Sequence, residues 1–200
     1  MIERYQAIAT ILADVEPDDL VLSTTGMISR EVFVAKDRPG NFYMLGSMGL
    51  ASGLGLGMAL LSPTQRVWIL EGDGSALMSL GTLPLIATSG GANLVHMILD
   101  NEAYESTGAQ PSISRHVELA QVAQSCGYAM AVRVDDAAAL QAALRDSRRQ
   151  EGPACIVVKC AIAPVAGIPR VSHSPTEIRD RFRSRVRGGR SARAKDHSDT

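Results

Sequence analysis

An acidic residue and an amide residue, each directly after an apolar run, have the chemistry to bind a metal ion together. Residues 66–71 (RVWILE) have the composition of a buried strand, and Gly72-Asp73-Gly74 follows them. Residues 93–99 (NLVHMIL) form a second such run, which ends in Asp100-Asn101. Parallel strands end at the same edge of a sheet, so we expect Asp73 and Asn101 to lie close together. Carboxylate and amide oxygens are hard ligands of the kind that Mg²⁺ prefers.

The same segment favours a phosphate group beside the metal. Glycines at 72 and 74 allow close backbone geometry. Residues 74–88 are predicted to form a helix, and the free N–H groups and dipole at a helix N-terminus attract phosphate. An Asp beside a phosphate is repelled unless a cation such as Mg²⁺ lies between them. Gly-Asp-Gly is also a common turn, but the strands on either side favour the binding site.

Two further loops have compositions suited to a ligand. Thr24-Thr25-Gly26 follows a predicted strand at 20–23 and can donate hydroxyls and N–H groups, although a simple loop is the alternative. Gly46-Ser47-Met48-Gly49 precedes a predicted helix at 50–61 that contains Gly53, Gly55 and Gly57. Each glycine weakens a helix by roughly 1 kcal/mol, so this helix needs tertiary support and allows another element to approach closely.

Composition excludes several classes of protein. The chain has 200 residues, is 46% hydrophobic and 20% charged, and carries a net charge of −1. These values are typical of a globular domain and do not indicate binding to nucleic acid or to an anionic membrane. Three cysteines without metal or redox spacing predict reduced thiols in the cytoplasm. No apolar run reaches transmembrane length, and the N-terminus lacks the pattern of a signal peptide.

The order of elements predicts an α/β fold with three αβα layers and a mainly parallel central sheet. We expect one domain over residues 1–186, ending in an irregular arm at 161–175 and a helix at 176–187. Residues 187–200 are polar and are expected to be disordered. Strands are predicted at 20–23, 41–45, 66–71, 93–99, 129–134 and 154–160, and helices at 1–14, from Ser29 onward, and at 50–61, 74–88, 116–126 and 136–149.

Together these motifs resemble a family of thiamin-diphosphate enzymes. The similarity is to the diphosphate-binding half of phosphonopyruvate decarboxylases and the β subunit of sulfopyruvate decarboxylases, over about residues 20–160. Gly-Asp-Gly followed by Asn after a spacer of 26 residues (75–100) marks the whole superfamily. The more specific segments are TTGMISRE at 24–31 and ESTGAQP at 105–111. One departure is Asp100-Asn101, where the family usually has Asn-Asn.

The resemblance implies roles for individual residues. Asp73, Asn101 and the carbonyl of Ala103 would bind Mg²⁺, and Gly72, Gly74 and Ser75 would surround the diphosphate. Gly46 would hold the 4′-amino group of the cofactor, next to Ser47, and Met48 would wedge between the two cofactor rings, unless Met48 simply fills the core. The remaining residues would lie near the diphosphate or the substrate, and we assign no proton transfer to any of them. They are Thr24, Thr25, Gly26, Glu105, Ser106 and Thr107. For Glu105 the alternative is a carboxylate that faces solvent.

The resemblance also implies a partner. Thiamin enzymes use a glutamate from a pyrimidine-binding domain, and 200 residues leave no room for that domain here. We therefore expect a heteromer with a pyrimidine-binding, α-type subunit, of α2β2 size or larger. The N-terminal helix and the helix at 50–61 are candidate interfaces.

The implied reaction is non-oxidative decarboxylation of a small anionic 2-oxoacid. 3-Phosphonopyruvate would give phosphonoacetaldehyde and CO2, and 3-sulfopyruvate would give sulfoacetaldehyde and CO2. Four cationic residues are candidates for the substrate anion, although each can also be a surface charge: Arg30, Lys36, Arg115 and His116. Two alternatives remain open. One is a subunit of another thiamin lyase or carboligase of the acetolactate-forming type, and the other is a non-catalytic regulatory subunit.

Overall fold

Strands and helices alternate along the chain in the computed structural model, which describes residues 1–163 and 166–196. The strands are β1 (Ile2–Glu3), β2 (Leu20–Ser23), β3 (Asn41–Tyr43), β4 (Val67–Gly72), β5 (Leu94–Asp100), β6 (Ala103–Tyr104), β7 (Gln110–Pro111), β8 (Met130–Val134) and β9 (Ala154–Ala161). The helices are α1 (Arg4–Asp14), α2 (Met27–Lys36), α3 (Ala51–Leu61), α4 (Asp73–Met78), α5 (Thr82–Ser89), α6 (Leu119–Cys126), α7 (Ala137–Ser147) and α8 (Pro175–Asp196).

The central sheet is parallel throughout, in the order β3-β2-β4-β5-β9. Two strands share the far edge of β9, because β8 pairs with its first residues and β1 pairs with Cys160 and Ala161. A separate antiparallel hairpin joins β6 and β7. This arrangement confirms the predicted mainly parallel α/β fold.

Helices cover both faces of the sheet, which is why its central strands are mostly apolar and buried on both sides. Side chains alternate along β4, so Trp68 and Leu70 belong to one core, whereas Val67 and Ile69 belong to the other. The first core is covered by α1, α2 and α7, and the second by α3, α5 and α6. The structure therefore has three layers, with the sheet between two layers of helices.

Glycine allows α3 to pack tightly on β4. A Cβ at Gly55 would lie 2.3 Å from Cγ1 of Ile69, whereas Gly53 and Gly57 have open space around them. The close approach expected from this glycine-rich helix is thus confirmed at Gly55. The other two glycines belong to its outer side, where Leu54 is exposed.

Several helices begin or break differently from the sequence prediction, among them α6, which starts at Leu119 and not at residue 116. The helix predicted at 74–88 is divided into α4 and α5, because Pro84 would clash with the preceding turn of one continuous helix. The first helix starts at Arg4, since Ile2 and Glu3 pair with β9. Helix α2 starts after Gly26, which has φ of 95°, and not at Ser29.

The C-terminal helix extends further than predicted. It was expected to end at residue 187, but it continues to Asp196, so residues 187–196 are helical. The expected disorder of residues 197–200 concerns a segment outside the described residues. In the part of the chain that is described, no helix is long and apolar enough to cross a membrane.

Candidate functional site

A cleft of about 210 Å³ lies at the carboxyl ends of the central strands. Thr24 follows β2, Asp73 follows β4 and Asn101 follows β5, so all three reach the same edge of the sheet. Nearly all the residues that the sequence patterns assign to the cofactor or the metal ion line this cleft. They are Thr24, Thr25, Gly26, Met48, Gly72, Asp73, Gly74, Ser75, Asn101, Ala103, Glu105, Ser106 and Thr107. The exceptions are Gly46 and Ser47, which line a neighbouring apolar depression.

Asp73 is a buried carboxylate held by two serine hydroxyls. Its Oδ2 accepts hydrogen bonds from Ser112 and, at 2.9 Å, from Ser114. Burial raises the pKa of Asp73 above its ordinary value; the hydroxyls oppose this rise and the nearby charge of Asp100 adds to it. A cation would relieve the repulsion between these two carboxylates. Ser112 and Ser114 were missed in the sequence, where they belong only to a polar loop.

Asn101 is oriented by a carboxylate. Its Nδ2 donates a hydrogen bond of 3.0 Å to Oε2 of Glu105, and its Oδ1 accepts one of 3.2 Å from the N–H of Ala103. A carboxylate only accepts hydrogen bonds, so Glu105 fixes the amide nitrogen on its own side and leaves Oδ1 as the atom that a metal ion could bind. The carbonyl of Ala103 is opposite Pro111 in the hairpin, and proline has no N–H to occupy it.

Glu105 is itself held by a buried arginine. Arg4 binds Glu31 at 2.6 and 2.8 Å and contacts both oxygens of Glu105, and its side chain is 6% exposed. Burial alone would lower the pKa of Arg4, but the hydrogen bonds that it donates to the two carboxylates raise this pKa above the ordinary value. Glu105 therefore does not simply face solvent. Arg4 had no role in the sequence analysis because it appeared only within an amphipathic helix.

A chain of buried polar groups supports Ser75. Its hydroxyl donates to Oε2 of Glu71 at 2.6 Å and accepts from the N–H of Gly49 at 3.1 Å. The other oxygen of Glu71 lies 2.7 Å from Nε2 of His96, and Nδ1 of His96 lies 3.0 Å from the hydroxyl of Tyr128. The Ser75 hydroxyl already donates its hydrogen bond to Glu71. Ser75 can therefore offer a ligand its backbone N–H, but not its hydroxyl hydrogen.

His96 links Glu71 to Tyr128 in this chain of groups. Its Nε2 faces a carboxylate, which accepts hydrogen bonds, so Nε2 donates to Glu71. Burial raises the pKa of Tyr128, so its hydroxyl keeps its proton beside Nδ1. His96 thereby positions Glu71 beneath the start of α4.

Gly74 is required by close packing at the cleft. A Cβ there would lie 2.4 Å from Cε1 of Tyr104 and 3.2 Å from Cε of Met48. Met48 is 38% exposed and follows Ser47, which has φ of 55°. Its side chain thus reaches the cleft and is not core filler. Tyr104 was not identified from the sequence, since a lone tyrosine in a loop carries no signal.

Asp100, the departure from the family pattern, has its own partner. Its Oδ2 lies 2.8 Å from Nζ of Lys159, which is also 2.5 Å from Glu102. Its Oδ1 accepts from Ser114 at 2.8 Å. The extra carboxylate is therefore neutralised from β9, and the ligand position at Asn101 is unchanged.

The cationic candidates are separated from one another. Lys36 donates hydrogen bonds to the carbonyls of Leu12 and Val15, so it secures the end of α1. Arg115 and His116 lie in a 3₁₀ turn and are not among the residues that line the cleft. Arg30 lines a depression that adjoins the cleft.

The donor set fits magnesium bound together with a phosphate. Among the described residues no group of three His, Cys, Asp or Glu side chains could hold a metal ion. The ligands available at the cleft are one carboxylate, one amide oxygen and one carbonyl, which leaves positions for phosphate oxygens. Mg²⁺ favours that combination.

Comparison with known proteins identifies the family. Residues 24–158 match the family described as thiamine pyrophosphate enzyme, C-terminal TPP binding domain, where TPP is thiamin diphosphate. The chain belongs to this family. The fold agrees: a thiamin-diphosphate-dependent enzyme from Mycobacterium smegmatis has a TM-score of 0.69 at 18% identity, over 81% of this chain and 32% of that one. Benzoylformate decarboxylase from Polynucleobacter necessarius has a TM-score of 0.68 at 17% identity, over 82% and 34%.

Sequence relatives are closer. The chain is 41% identical to a phosphonopyruvate decarboxylase from Streptomyces hygroscopicus, over 90% of this chain and 45% of that protein. It is 40% identical to a sulfopyruvate decarboxylase subunit beta from Methanothermobacter thermautotrophicus, over 94% of this chain and 97% of that subunit. The chain thus spans about half the length of the phosphonopyruvate decarboxylases that it matches, and almost all of the subunit.

Proposed function

We propose that this chain is the thiamin-diphosphate-binding subunit of a split decarboxylase. The pair would convert 3-phosphonopyruvate or 3-sulfopyruvate to the corresponding aldehyde and CO2. One observation carries the proposal: Asp73, Asn101 and Gly74 lie at the ends of neighbouring strands and line one cleft. The identity with both kinds of decarboxylase supports the class of substrate.

In this proposal the cleft holds the diphosphate through Mg²⁺. Asp73, Asn101 and the carbonyl of Ala103 would bind the metal, and the N–H groups at the start of α4 would bind phosphate oxygens. Thr24, Thr25 and Gly26 would form the facing wall, with Ser106 and Thr107 at the rim. Bound thiamin diphosphate would supply the thiazolium that takes up electrons as CO2 leaves.

Met48 and its loop would position the ring end of the cofactor. The turn at Ser47 and Gly49 presents Met48 next to Gly74, which supports its role as a wedge between the rings. Gly46 and Ser47 line the adjacent depression, so the site for the 4′-amino group would lie toward that side. Neither residue needs a charged side chain for this role, because a backbone carbonyl accepts the hydrogen bond.

A partner chain would complete the site. The coverage of a subunit named beta supports a heteromer, and we propose a pyrimidine-binding, α-type partner that supplies the activating glutamate. The outer side of α3 fits such an interface, because Leu50, Leu54 and Leu61 are exposed beside Gly53 and Gly57. The apolar side of α1, in contrast, packs against α2 and α7. Three free cysteines fit a reducing compartment, so we keep the cytoplasm as the proposed location.

The test is a substrate screen on the reconstituted pair. This chain would be co-expressed with a pyrimidine-domain protein encoded nearby and supplied with phosphonopyruvate, sulfopyruvate or pyruvate. We expect aldehyde and CO2 from one of the first two substrates and no activity from either chain alone. Acetolactate from pyruvate as the only product would replace this proposal with a carboligase. Indifference to cofactor and metal would instead indicate a regulatory subunit.

A further inference from the structure

A positively charged depression of about 350 Å³ adjoins the proposed cofactor cleft. It shares Thr25 and Gly26 with the cleft and extends from there to the start of α2 and the C-terminal arm. No Asp or Glu is among the residues that line it. They are Thr25, Gly26, Ser29, Arg30, Met44, Leu45, Arg170, Val171 and His173.

Two guanidinium groups and one hydroxyl in this depression have no partner in residues 1–163 and 166–196. Neither Arg30 nor Arg170 makes a side-chain hydrogen bond or an ion pair there, and the hydroxyl of Thr25 also makes none. Ser29, in contrast, is committed, since its hydroxyl donates to the carbonyl of Thr24 at 2.7 Å. All three of these groups, the two guanidinium groups and the Thr25 hydroxyl, can donate hydrogen bonds to a ligand.

Two carboxylates beside these lining residues are already paired: Glu31, next to Arg30 in the sequence, binds Arg4, and Asp37, in contact with His173, binds Arg181. Asp37 Oδ2 lies 2.9 Å from His173 Nε2 and 2.9 Å from Arg181. It therefore balances the charge beyond the depression and leaves Arg30 and Arg170 uncompensated. Two unpaired guanidinium groups beside a hydroxyl suit a tetrahedral oxyanion, which arginine binds with two parallel hydrogen bonds.

We infer that this depression binds the phosphonate or sulfonate group of the substrate, through Arg30, Arg170 and the hydroxyl of Thr25. The inference rests on the proposed function. In a 3-phosphono- or 3-sulfo-2-oxoacid the tetrahedral anion is one carbon away from the carbonyl that reacts. Its site must therefore lie near the ring end of the cofactor. This depression meets the cleft at Thr25 and Gly26, and it shares Met44 and Leu45 with the depression that Gly46 and Ser47 line. Substrate recognition is thus assigned to this chain and not only to its partner.

Kinetics of arginine variants in the reconstituted pair test the inference. Arg30→Gln and Arg170→Gln should each raise KM for the phosphono or sulfo substrate about tenfold or more, since each removes a charge-assisted hydrogen bond. The kcat value and the affinity for thiamin diphosphate should change much less. Arg149→Gln is the matched control, because Arg149 is 78% exposed at the far end of α7 and should leave KM unchanged.

A non-reacting probe separates this inference from the proposed function. Phosphonoacetate and sulfoacetate carry the same two anions without the ketone, and calorimetry with the pair would measure their binding. Probe binding that Arg30→Gln and Arg170→Gln weaken supports the anion site, even if the pair decarboxylates neither substrate and the proposed function falls. If the pair decarboxylates its substrate but both variants leave KM and probe affinity unchanged, the inference is wrong and the proposed function stands. Absence of both probe binding and decarboxylation overturns both.

Discussion

The amide nitrogen of Asn101 lies 3.0 Å from Oε2 of Glu105 and donates a hydrogen bond to it. Glu105 is held in turn by Arg4, which lies 101 residues earlier in the chain. The first residue after β1 thus fixes the amide that follows β5. The position of this proposed metal ligand therefore depends on Arg4, a residue that the sequence patterns did not single out.

Glu105 should control metal affinity without touching the metal. Glu105→Ala frees the amide of Asn101 to rotate, so we expect the affinity for Mg²⁺ in the presence of thiamin diphosphate to fall about 10- to 100-fold. Calorimetric titration of Mg²⁺ measures this. Glu118→Ala is the control, because Glu118 forms only an exposed pair with Arg133. Equal affinities for both variants would show that Glu105 does not orient Asn101.

Arg4 should contribute strongly to stability. Arg4→Met leaves Glu31 fully buried without its cation, and breaking a buried ion pair in this way costs about 3–5 kcal/mol. The free energy of unfolding in urea is the measurement. Arg133→Met, which removes two exposed pairs, with Glu118 and Asp135, should cost about 1 kcal/mol or less. A similar small loss for Arg4→Met would contradict the buried network.

Two glycine-to-alanine changes should act on different properties: Gly74→Ala should weaken cofactor binding, and Gly53→Ala should raise stability. Gly74→Ala places a Cβ against Tyr104 and Met48, so it should distort the cleft and weaken binding of thiamin diphosphate at least tenfold. Gly53→Ala enters open space on α3 and should stabilise the chain by up to about 1 kcal/mol. Cofactor titration and urea unfolding measure the two effects. Unchanged affinity of the Gly74→Ala variant for thiamin diphosphate would mean that Tyr104 can move aside without distorting the cleft.

The buried thiols should be unreactive. Burial raises the pKa of Cys160 to about 12 and that of Cys155 further still, so both remain protonated at neutral pH. An aromatic disulfide reagent should therefore titrate Cys126 in the native protein and all three cysteines after unfolding. Rapid native reaction of Cys155 or Cys160 would show that β9 is more accessible than the structure implies.

Local patterns were sufficient to predict the cleft and every strand of the central sheet except β1. Apolar runs that end in Asp73 and Asn101 mark strand ends, and the glycines around them mark a close approach of backbone to ligand. Pro84 carried a signal for the break between α4 and α5, because it lies in the first turn of a helix and would disrupt the interior of a longer one. The αβα layers follow from the same alternation of strands and helices.

The supporting contacts could not be predicted, because they join distant parts of the chain. Arg4 meets Glu31 and Glu105 only because β1 pairs with the end of β9. Ser112 and Ser114 meet Asp73 only because the β6–β7 hairpin folds back over α4. Such contacts depend on tertiary structure, and a serine or an arginine in a polar segment gives no periodic signal.

Binding of thiamin diphosphate with and without Mg²⁺ is the sharpest test of a magnesium–diphosphate site at Asp73. Calorimetry would compare the reconstituted pair with the pair that carries Asp73→Ala, and circular dichroism would verify that the variant is folded. We expect that binding requires Mg²⁺ and weakens by roughly 100-fold or more in Asp73→Ala. Equal affinity in EDTA and in Mg²⁺, or in the wild-type and Asp73→Ala pairs, would contradict a magnesium–diphosphate site at this cleft.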